Sequence, residues 1–384
     1  VELHRTEAAF AALLPEWDEL AARIVPWNPF ITPDWLATEW AFFRRQGLFV
    51  SDTLHCYAVR AADGRLVAVA PMQMALRPGF GPLHLRQLCY LGADPNVTEI
   101  RGIICHEADE PDVVAALAAS VHAISKSWDI VHWGGLRDES AIERCMLTAG
   151  STITQRNASA FYIDLPENFA ALRAGLPRNT REALRKCYNA LYRDGHEAAF
   201  DVITRPACVD AALDRFFHLH TARARAQSGV AHTDTFADKK SRAFLRAYAQ
   251  HSAERGELRI FRLRINDTVV AMRIGFCSGE DLYLYYSGYL PAWGRYSVMT
   301  RTVAEALKWA MSAGLKRVNL SFGRDRSKLR WRPVELRFQE AIQPAPNWRG
   351  RLSLMLFRHR AGVFSTRLPV PASAKAGAGG KFPS

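Results

Sequence analysis

Residues 281–331 read DLYLYYSGYLPAWGRYSVMTRTVAEALKWAMSAGLKRVNLSFGRDRSKLRW, and the change of period along them decides the fold. Asp281–Tyr289 alternates and is rich in aromatics, as a strand does. Pro291 and Gly294 break it. From Ser297 to Ala313 the apolar spacing is helical, and Ser297 stands where a side chain can cap the first free N–H groups. Leu315–Phe322 is a second short strand. Strand, loop, helix, strand is an α/β pattern. Unpaired amides and the dipole at such a helix entry attract a phosphate or diphosphate, helped here by Arg295 and Arg301. Read alone, the same stretch is an ordinary loop-to-helix junction.

Outward from this stretch the pattern repeats. Leu258–Ile265 and Thr268–Cys277 are strands around the turn Asn266-Asp267, and Leu54–Arg60 and Leu66–Met74 are strands around Asp63-Gly64, a strong hairpin signal. CYAVRAADGRLVAVAPM (56–72) is similar in pattern to RIFRLRINDTVVAMRIG (259–275), and SWDIVHWGG (127–135) to LKRVNLSFG (315–323). Two copies of one α/β unit are expected. Strands are predicted at Leu83–Leu91, Glu99–Cys105, Trp128–Trp133, Ala158–Leu165 and Val334–Ile342. Helices are predicted across the Trp-rich first 50 residues, interrupted by Pro26, Pro29 and Pro33, and at Pro111–Lys126, Glu139–Ala149, Pro177–Asp194, Pro206–Ala226 and Phe236–Arg255. The domains are then 1–165, 166–345 and a basic, partly disordered tail 346–384, with 368–384 small and Pro/Gly-rich.

The length of 384 residues suits two domains, and 49% hydrophobic with 23% charged residues is ordinary for globular chains. The net charge of +12 lies in one place: residues 316–384 carry 15 Lys/Arg against 3 Asp/Glu. Such a stretch attracts polyanions or is a solvated tail. No apolar run is long enough to cross a bilayer, and the polar start Val1-Glu2-Leu3-His4 has no secretion signal, so a cytoplasmic protein is expected. The seven cysteines are scattered without a CxxC pair and are expected as free, buried thiols. His55, His106, His122 and His132 lack metal-ligand spacing, so no metal is expected. HExxH, GxSxG, Walker A and GxGxxG motifs are missing, which argues against a zinc enzyme, a serine hydrolase and a P-loop NTPase.

The stretch PAWGRYSVMTRTVAEALKWAMSAGLKRVNLSFG resembles the acyl-CoA region of the CelD-like, cellulose-biosynthesis-type acyltransferases. Gly288, Tyr289, Pro291, Trp293, Tyr296, Ser297, Gly323, Lys328 and Trp331 hold the places of that family's motif. LPRNTREALRKCYNALYRDG (176–195) resembles its basic helix, FFHLHTARARAQSG (216–229) its L-H-x-x-R segment, and PFITPDWLATEW (29–40) its opening. Val298-Met299 stand where the family has Pro-Gly, and Asn319 or Ser321 where it has an acidic residue. The resemblance spans roughly residues 17–340. It implies two tandem GNAT-like domains, each a mixed twisted sheet flanked by helices, an arrangement shared with the FemAB-type aminoacyltransferases. It further implies acyl-CoA as co-substrate, with Ser287, Gly288, Arg295, Tyr296, Ser297, Arg301, Asn319 and Lys328 toward it, and an amino group on a small molecule, sugar or peptide as acceptor.

Acyl transfer to an amine needs a neutral amine, a polarised carbonyl and a protonated leaving group. Backbone N–H groups near Tyr285–Ser287 are candidates for the carbonyl oxygen, His220 for the base, Tyr286 or Tyr289 for the acid, and Asp325 for a second base. His220 reads equally well as a buried structural histidine beside Phe216 and Phe217, and the tyrosines as core. Three functions stay open: an acyl-CoA-dependent N-acyltransferase, a FemAB-like transferase using aminoacyl-tRNA, and a non-catalytic module with the same fold.

Overall fold

The computed structural model describes residues 1–79, 84–92, 97–137, 155–226 and 232–355, with Ala141 and Cys145. Apart from those two residues, the helix expected at Glu139–Ala149 lies outside them, as does 368–384. The first half runs β1 (Glu2–His4), α1 (Glu7–Ala21), α2 (Pro33–Phe43), β2 (Ser51–Arg60), β3 (Leu66–Pro78), β4 (His84–Tyr90), β5 (Ile104–Cys105), α3 (Glu110–Ala123), β6 (Ile130–Leu136) and β7 (Gln155–Asp164). The second runs α4 (Phe169–Gly175), α5 (Arg178–Arg193), β8 (Ala198–Ile203), α6 (Val209–Arg225), α7 (Lys239–Glu254), β9 (Leu258–Ile265), β10 (Thr268–Ser278), β11 (Asp281–Tyr289), α8 (Val298–Ser312), β12 (Arg317–Phe322), α9 (Arg326–Leu329) and β13 (Val334–Pro344).

Local chemistry sets the turns. Asn266 and Asp267 both take positive φ, 47° and 63°, the two-residue hairpin geometry that follows the twist of the flanking strands. Gly195 and Gly256 end α5 and α7 at positive φ, as expected of helix C-caps. The strand expected at Glu99–Cys105 shrinks to Ile104–Cys105, because only that end reaches a partner, β3. β1, α4, β8 and α9 were not foreseen: each is short, from three to seven residues.

The strands of the described residues form one sheet in the order β1-β2-β3-β4-β6-β13-β7-β12-β11-β10-β9-β8, with β5 beside β3. The order is palindromic in pattern. β2, β3 and β4 are successive antiparallel neighbours and β4 is parallel to β6; β9, β10 and β11 repeat this, with β11 parallel to β12. The repeat foreseen from the two hairpins is therefore a repeat of fold. The last strands are exchanged: β7 pairs with β12 of the second half, β13 pairs with β6 of the first, and the two pair with each other at the centre.

The aromatics of the N-terminal helices pack between the halves. The Trp35 ring, fully buried, meets Phe244 at 5.0 Å, Tyr248 at 4.6 Å and Tyr285 at 5.6 Å. A buried ring of this size contributes about 4–6 kcal/mol by area. The cysteines are free, but Cys89 and Cys208 are only partly buried. Among the described residues no helix is long and apolar enough to cross a membrane, and no cluster of His, Cys, Asp and Glu has the makings of a metal site.

Candidate functional site

β11 and β12 pair over three positions, Asp281↔Arg317, Leu282↔Val318 and Tyr283↔Asn319, and then part. The cause is a bulge on each strand. Opposite β10, Arg273 pairs with Ser287 but Gly275 with Leu284, so Tyr285 and Tyr286 both face Ile274. An extra residue of this kind bends a strand and increases its twist. In β12, Ser321 takes a positive φ of 72° and donates its N–H to Asn319 Oδ1 at 2.8 Å, and the register to β7 shifts there. The result is a V-shaped slot, with the Tyr285–Ser287 backbone on one arm, where the sequence placed the carbonyl-binding amides.

α6 lies directly on the far end of the first arm. A Cβ at Gly288 would collide with the His220 backbone nitrogen and stand 2.6 Å from the Leu219 carbonyl carbon. Gly288 therefore serves helix–strand contact. His220 is 4% exposed. Its Nδ1 donates to the Ser287 carbonyl at 3.0 Å, and Phe216, Phe236 and Tyr286 surround its ring. Among the described residues Nε2 has no hydrogen-bond partner, and it faces Asp234 Oδ1, equally unpartnered there, at 3.9 Å. Burial holds the His220 pKa below its usual value, against the pull of the Ser287 carbonyl and Asp234. Arg223, one turn on, donates to Ser287 Oγ at 2.9 Å and touches His232, which burial and Arg223 push down to about 4. Tyr289 is partly buried, and its hydroxyl makes no hydrogen bond among the described residues.

Beyond Tyr289 a single 3-10 stretch, Pro291–Tyr296, leads to α8. The expected cap is not made. Ser297 sits at the N-cap position in a left-handed conformation, φ 52°, and its side chain bonds no backbone N–H; a capping serine needs extended φ and ψ. The first N–H groups of α8 are thus left without a side-chain partner. Val298 is buried with Leu191, Leu263 and Tyr296, and Met299 packs against them, so the pair turns sideways into the core. Arg301 lies 4.5 Å over the Tyr188 ring, and Arg330 donates to Thr300 Oγ1 at 2.8 Å; among the described residues both keep a buried Nε without partner. Arg295 and Tyr296 face elsewhere. Arg295 donates to the Tyr296 hydroxyl at 2.7 Å, which donates to Asp194 at 2.9 Å, bracing the end of α5.

The second arm ends in a turn. Lys328 Nζ donates to the Phe322 carbonyl and, at 3.1 Å, to that of Gly323. Asp325 caps α9, accepting from Ser327 N–H at 2.8 Å and Lys328 N–H at 3.1 Å. Burial would raise its pKa, but Lys328 and these donors hold it below the usual value. Between the arms stands Glu99, from the first half, which sequence reasoning passed over as one polar residue in a predicted strand. Its Oε2 accepts from the Tyr283 hydroxyl and, at 3.3 Å, from Phe322 N–H. Burial raises its pKa, against Lys328, the two donors and Arg273. Arg273 itself is lowered to about 10 by burial and by Arg223.

The corresponding slot of the first half is closed. Among the described residues β4 and β6 pair only at Gln87↔Ile130 and Leu88↔Val131, and where β4 departs, β5 takes its place beside β3. The chain entering β5 fills the gap: a Cβ at Gly102 would lie 2.5 Å from the Gly134 oxygen and 2.6 Å from Gly135 Cα. α3 also begins among Glu107, Asp109, Glu110 and Asp112, the wrong sign for a phosphate. A cavity of about 480 Å³ lies between the halves, walled by Phe30, Leu91, Ile100, Leu136, Phe322 and Phe338 among others, with Arg101, Arg137, Arg337 and Glu335 on its border.

A sequence family described as acetyltransferase (GNAT) domain matches residues 178–331, the segment that holds the open slot and α8. The chain is similar in structure to FemX, with a TM-score of 0.55 and 10% identity over 88% of this chain and 97% of that one. It is also similar to the C-terminal domain of a putative lysylphosphatidylglycerol synthetase from Agrobacterium fabrum, with a TM-score of 0.50 and 12% identity over 92% and 96% of the two chains. At such identities the likeness is one of fold. Among curated proteins no relative matches the chain. The molecule is thus a tandem of two GNAT-like α/β units, the second of which holds the residues, 178–331, that match the acetyltransferase (GNAT) domain family.

Proposed function

We propose that this protein is an N-acyltransferase of the CelD-like type that moves an acyl group from acyl-CoA to an amino group of a small molecule, sugar or peptide, with residues 166–345 as the reactive domain and 1–165 shaping the acceptor cleft. The observation that carries the reading is the open slot between β11 and β12, leading to an α8 N-terminus without a side-chain cap beside the unpartnered Nε atoms of Arg301 and Arg330. The donor supplies an activated acyl carbonyl. The bulged Tyr285–Ser287 backbone offers N–H groups to its oxygen. Tyr289, whose hydroxyl is uncommitted, serves as proton donor to the leaving group in preference to Tyr286, whose ring is packed among His220, Phe236 and Tyr285. Asp325 is committed to capping α9. Ser297 and Arg301, joined by Arg330, hold the donor's phosphates; Ser287, Gly288, Arg295, Tyr296, Asn319 and Lys328 shape the strand ends and loops around them.

The test is a thermal-shift titration with acetyl-CoA and longer acyl-CoA esters. At a hundredfold excess over Kd, a bound donor stabilises the protein by about 2.7 kcal/mol. Replacing Arg301 and Arg330 together by Ala is expected to weaken binding at least tenfold, since each charged hydrogen bond contributes about 1.5–3 kcal/mol. Absence of a shift with every ester refutes the reading. One observation favours a second donor, an aminoacyl-tRNA: α5 presents Arg178, Arg181, Arg185, Lys186 and Arg193 to solvent beside Arg301. Stabilisation by tRNA alone, lost steeply as salt rises, would select it.

A further inference from the structure

We propose that Glu99 is the proton acceptor for the incoming amine, a catalytic group that the first half delivers into the slot of the second; this rests on the acyl-transfer reading above. Three observations carry it. Glu99 spans the mouth of the slot, since Tyr283 is the last residue of β11 paired to β12 and Phe322 ends β12. Both of its hydrogen bonds fall on Oε2, while Oε1 accepts none among the described residues and the residue keeps partial exposure. One oxygen is anchored and the other is available. Finally, Ile100 and Phe322, its neighbour in sequence and its partner in hydrogen bonding, line the cavity between the halves together with Asn319, so an amine lodged there lies close to the carboxylate.

The other carboxylates nearby are committed. Asp325 caps α9, and Glu335 accepts from Ser159 and pairs with Arg324. Asp234 lies beside His220, whose ring is enclosed. The charged and titratable groups facing Glu99 are Tyr283 on β11, Arg273 on β10 and Lys328 on α9. Burial raises the Glu99 pKa while Lys328 and Arg273 oppose the rise, and a carboxylate with a raised pKa is a stronger base than an exposed glutamate. In the step, an ammonium gives one proton to Glu99 Oε1. The neutral nitrogen attacks the thioester carbonyl carbon, and the C–S bond breaks with its electron pair on sulfur. The sulfur ends as a thiol with the second nitrogen proton, relayed through Tyr289, and Glu99 returns its proton to solvent. The products are an amide, the free thiol of CoA and one proton.

Glu99→Gln tests this, because the amide oxygen still accepts from Tyr283 and Phe322 but takes up no proton. Turnover of acetyl-CoA with glucosamine, spermidine and a lysyl peptide is measured against pH, with acetyl-CoA binding measured separately. The expected result is a loss of 10²–10⁴-fold in kcat, loss of the acidic limb of the pH profile, and an acetyl-CoA Kd and a Tm close to those of the parent. A variant with parental kcat and an intact acidic limb overturns the assignment while leaving the transferase reading in place. A parent protein that binds no acyl-CoA ester and acylates none of the three amines overturns the acyl-CoA transferase reading and this inference with it. Should the Gln variant fail to fold, Tyr283→Phe removes one anchor from Oε2. An acidic limb moved to higher pH then supports Glu99, and an unmoved limb overturns it.

Discussion

At the scale of single residues, the slot depends on small contacts with little tolerance. Gly288 is the clearest. Its missing side chain lets α6 lie on β11, and because the obstruction would be backbone, no rotamer change relieves it. Gly288→Ala is expected to destabilise the protein by about 1–3 kcal/mol, the range for overpacking, read as a lower denaturant midpoint. His220 holds the same joint from the other side through the Ser287 carbonyl. The sequence showed the residues but not their division of labour. His220 was legible as either base or structural residue, and the burial and the bond to Ser287 that weigh toward the second come from α6 lying on a strand 67 residues distant. Ser297 was legible as an N-cap position, yet its left-handed backbone removes the cap. Glu99 carried no signal, because its partners lie 184 and 223 residues away.

At the scale of elements, Asp129 fastens the start of β6. It is fully buried and accepts from Arg86 at 2.8 Å and Arg349 at 3.1 Å, tying β4, β6 and the segment after β13 together. Burial alone would raise its pKa, but the two guanidinium groups hold it below the ordinary carboxylate value. A lowered folded pKa gives stability that is present above the unfolded value, about 3.9, and is lost as pH falls through the folded one. Asp129→Asn is expected to cost about 2–3 kcal/mol near neutral pH. That is less than for a fully buried pair, because the arginines are 28% and 30% exposed. It should also flatten the loss of stability below pH 4 in urea unfolding. Most elements were legible from period and turn chemistry, as at Asn266-Asp267. Those that were not, β8 and α4 for example, are held by their neighbours more than by their own pattern.

At the scale of the whole molecule, the two units were legible and their interlocking was not. Ala158–Leu165 and Val334–Ile342 both read as strands, but alternation says which face is buried, not which neighbour a strand takes. With β7 and β13 exchanged, neither half is complete alone. Residues 1–165 and 166–384 expressed separately are each expected to be poorly folded. Co-expressed, they should reassemble into a complex with the far-ultraviolet circular dichroism of the intact chain. Two independently folded, monomeric fragments would refute this.

The exchange also bears on how the protein is made. β6 ends at residue 136 and its outer partner β13 begins at residue 334. While the ribosome works through the interval, the nascent first unit carries a bare strand edge, a template for pairing with other chains. Its sheet closes only once β13, Val334–Pro344, has been made.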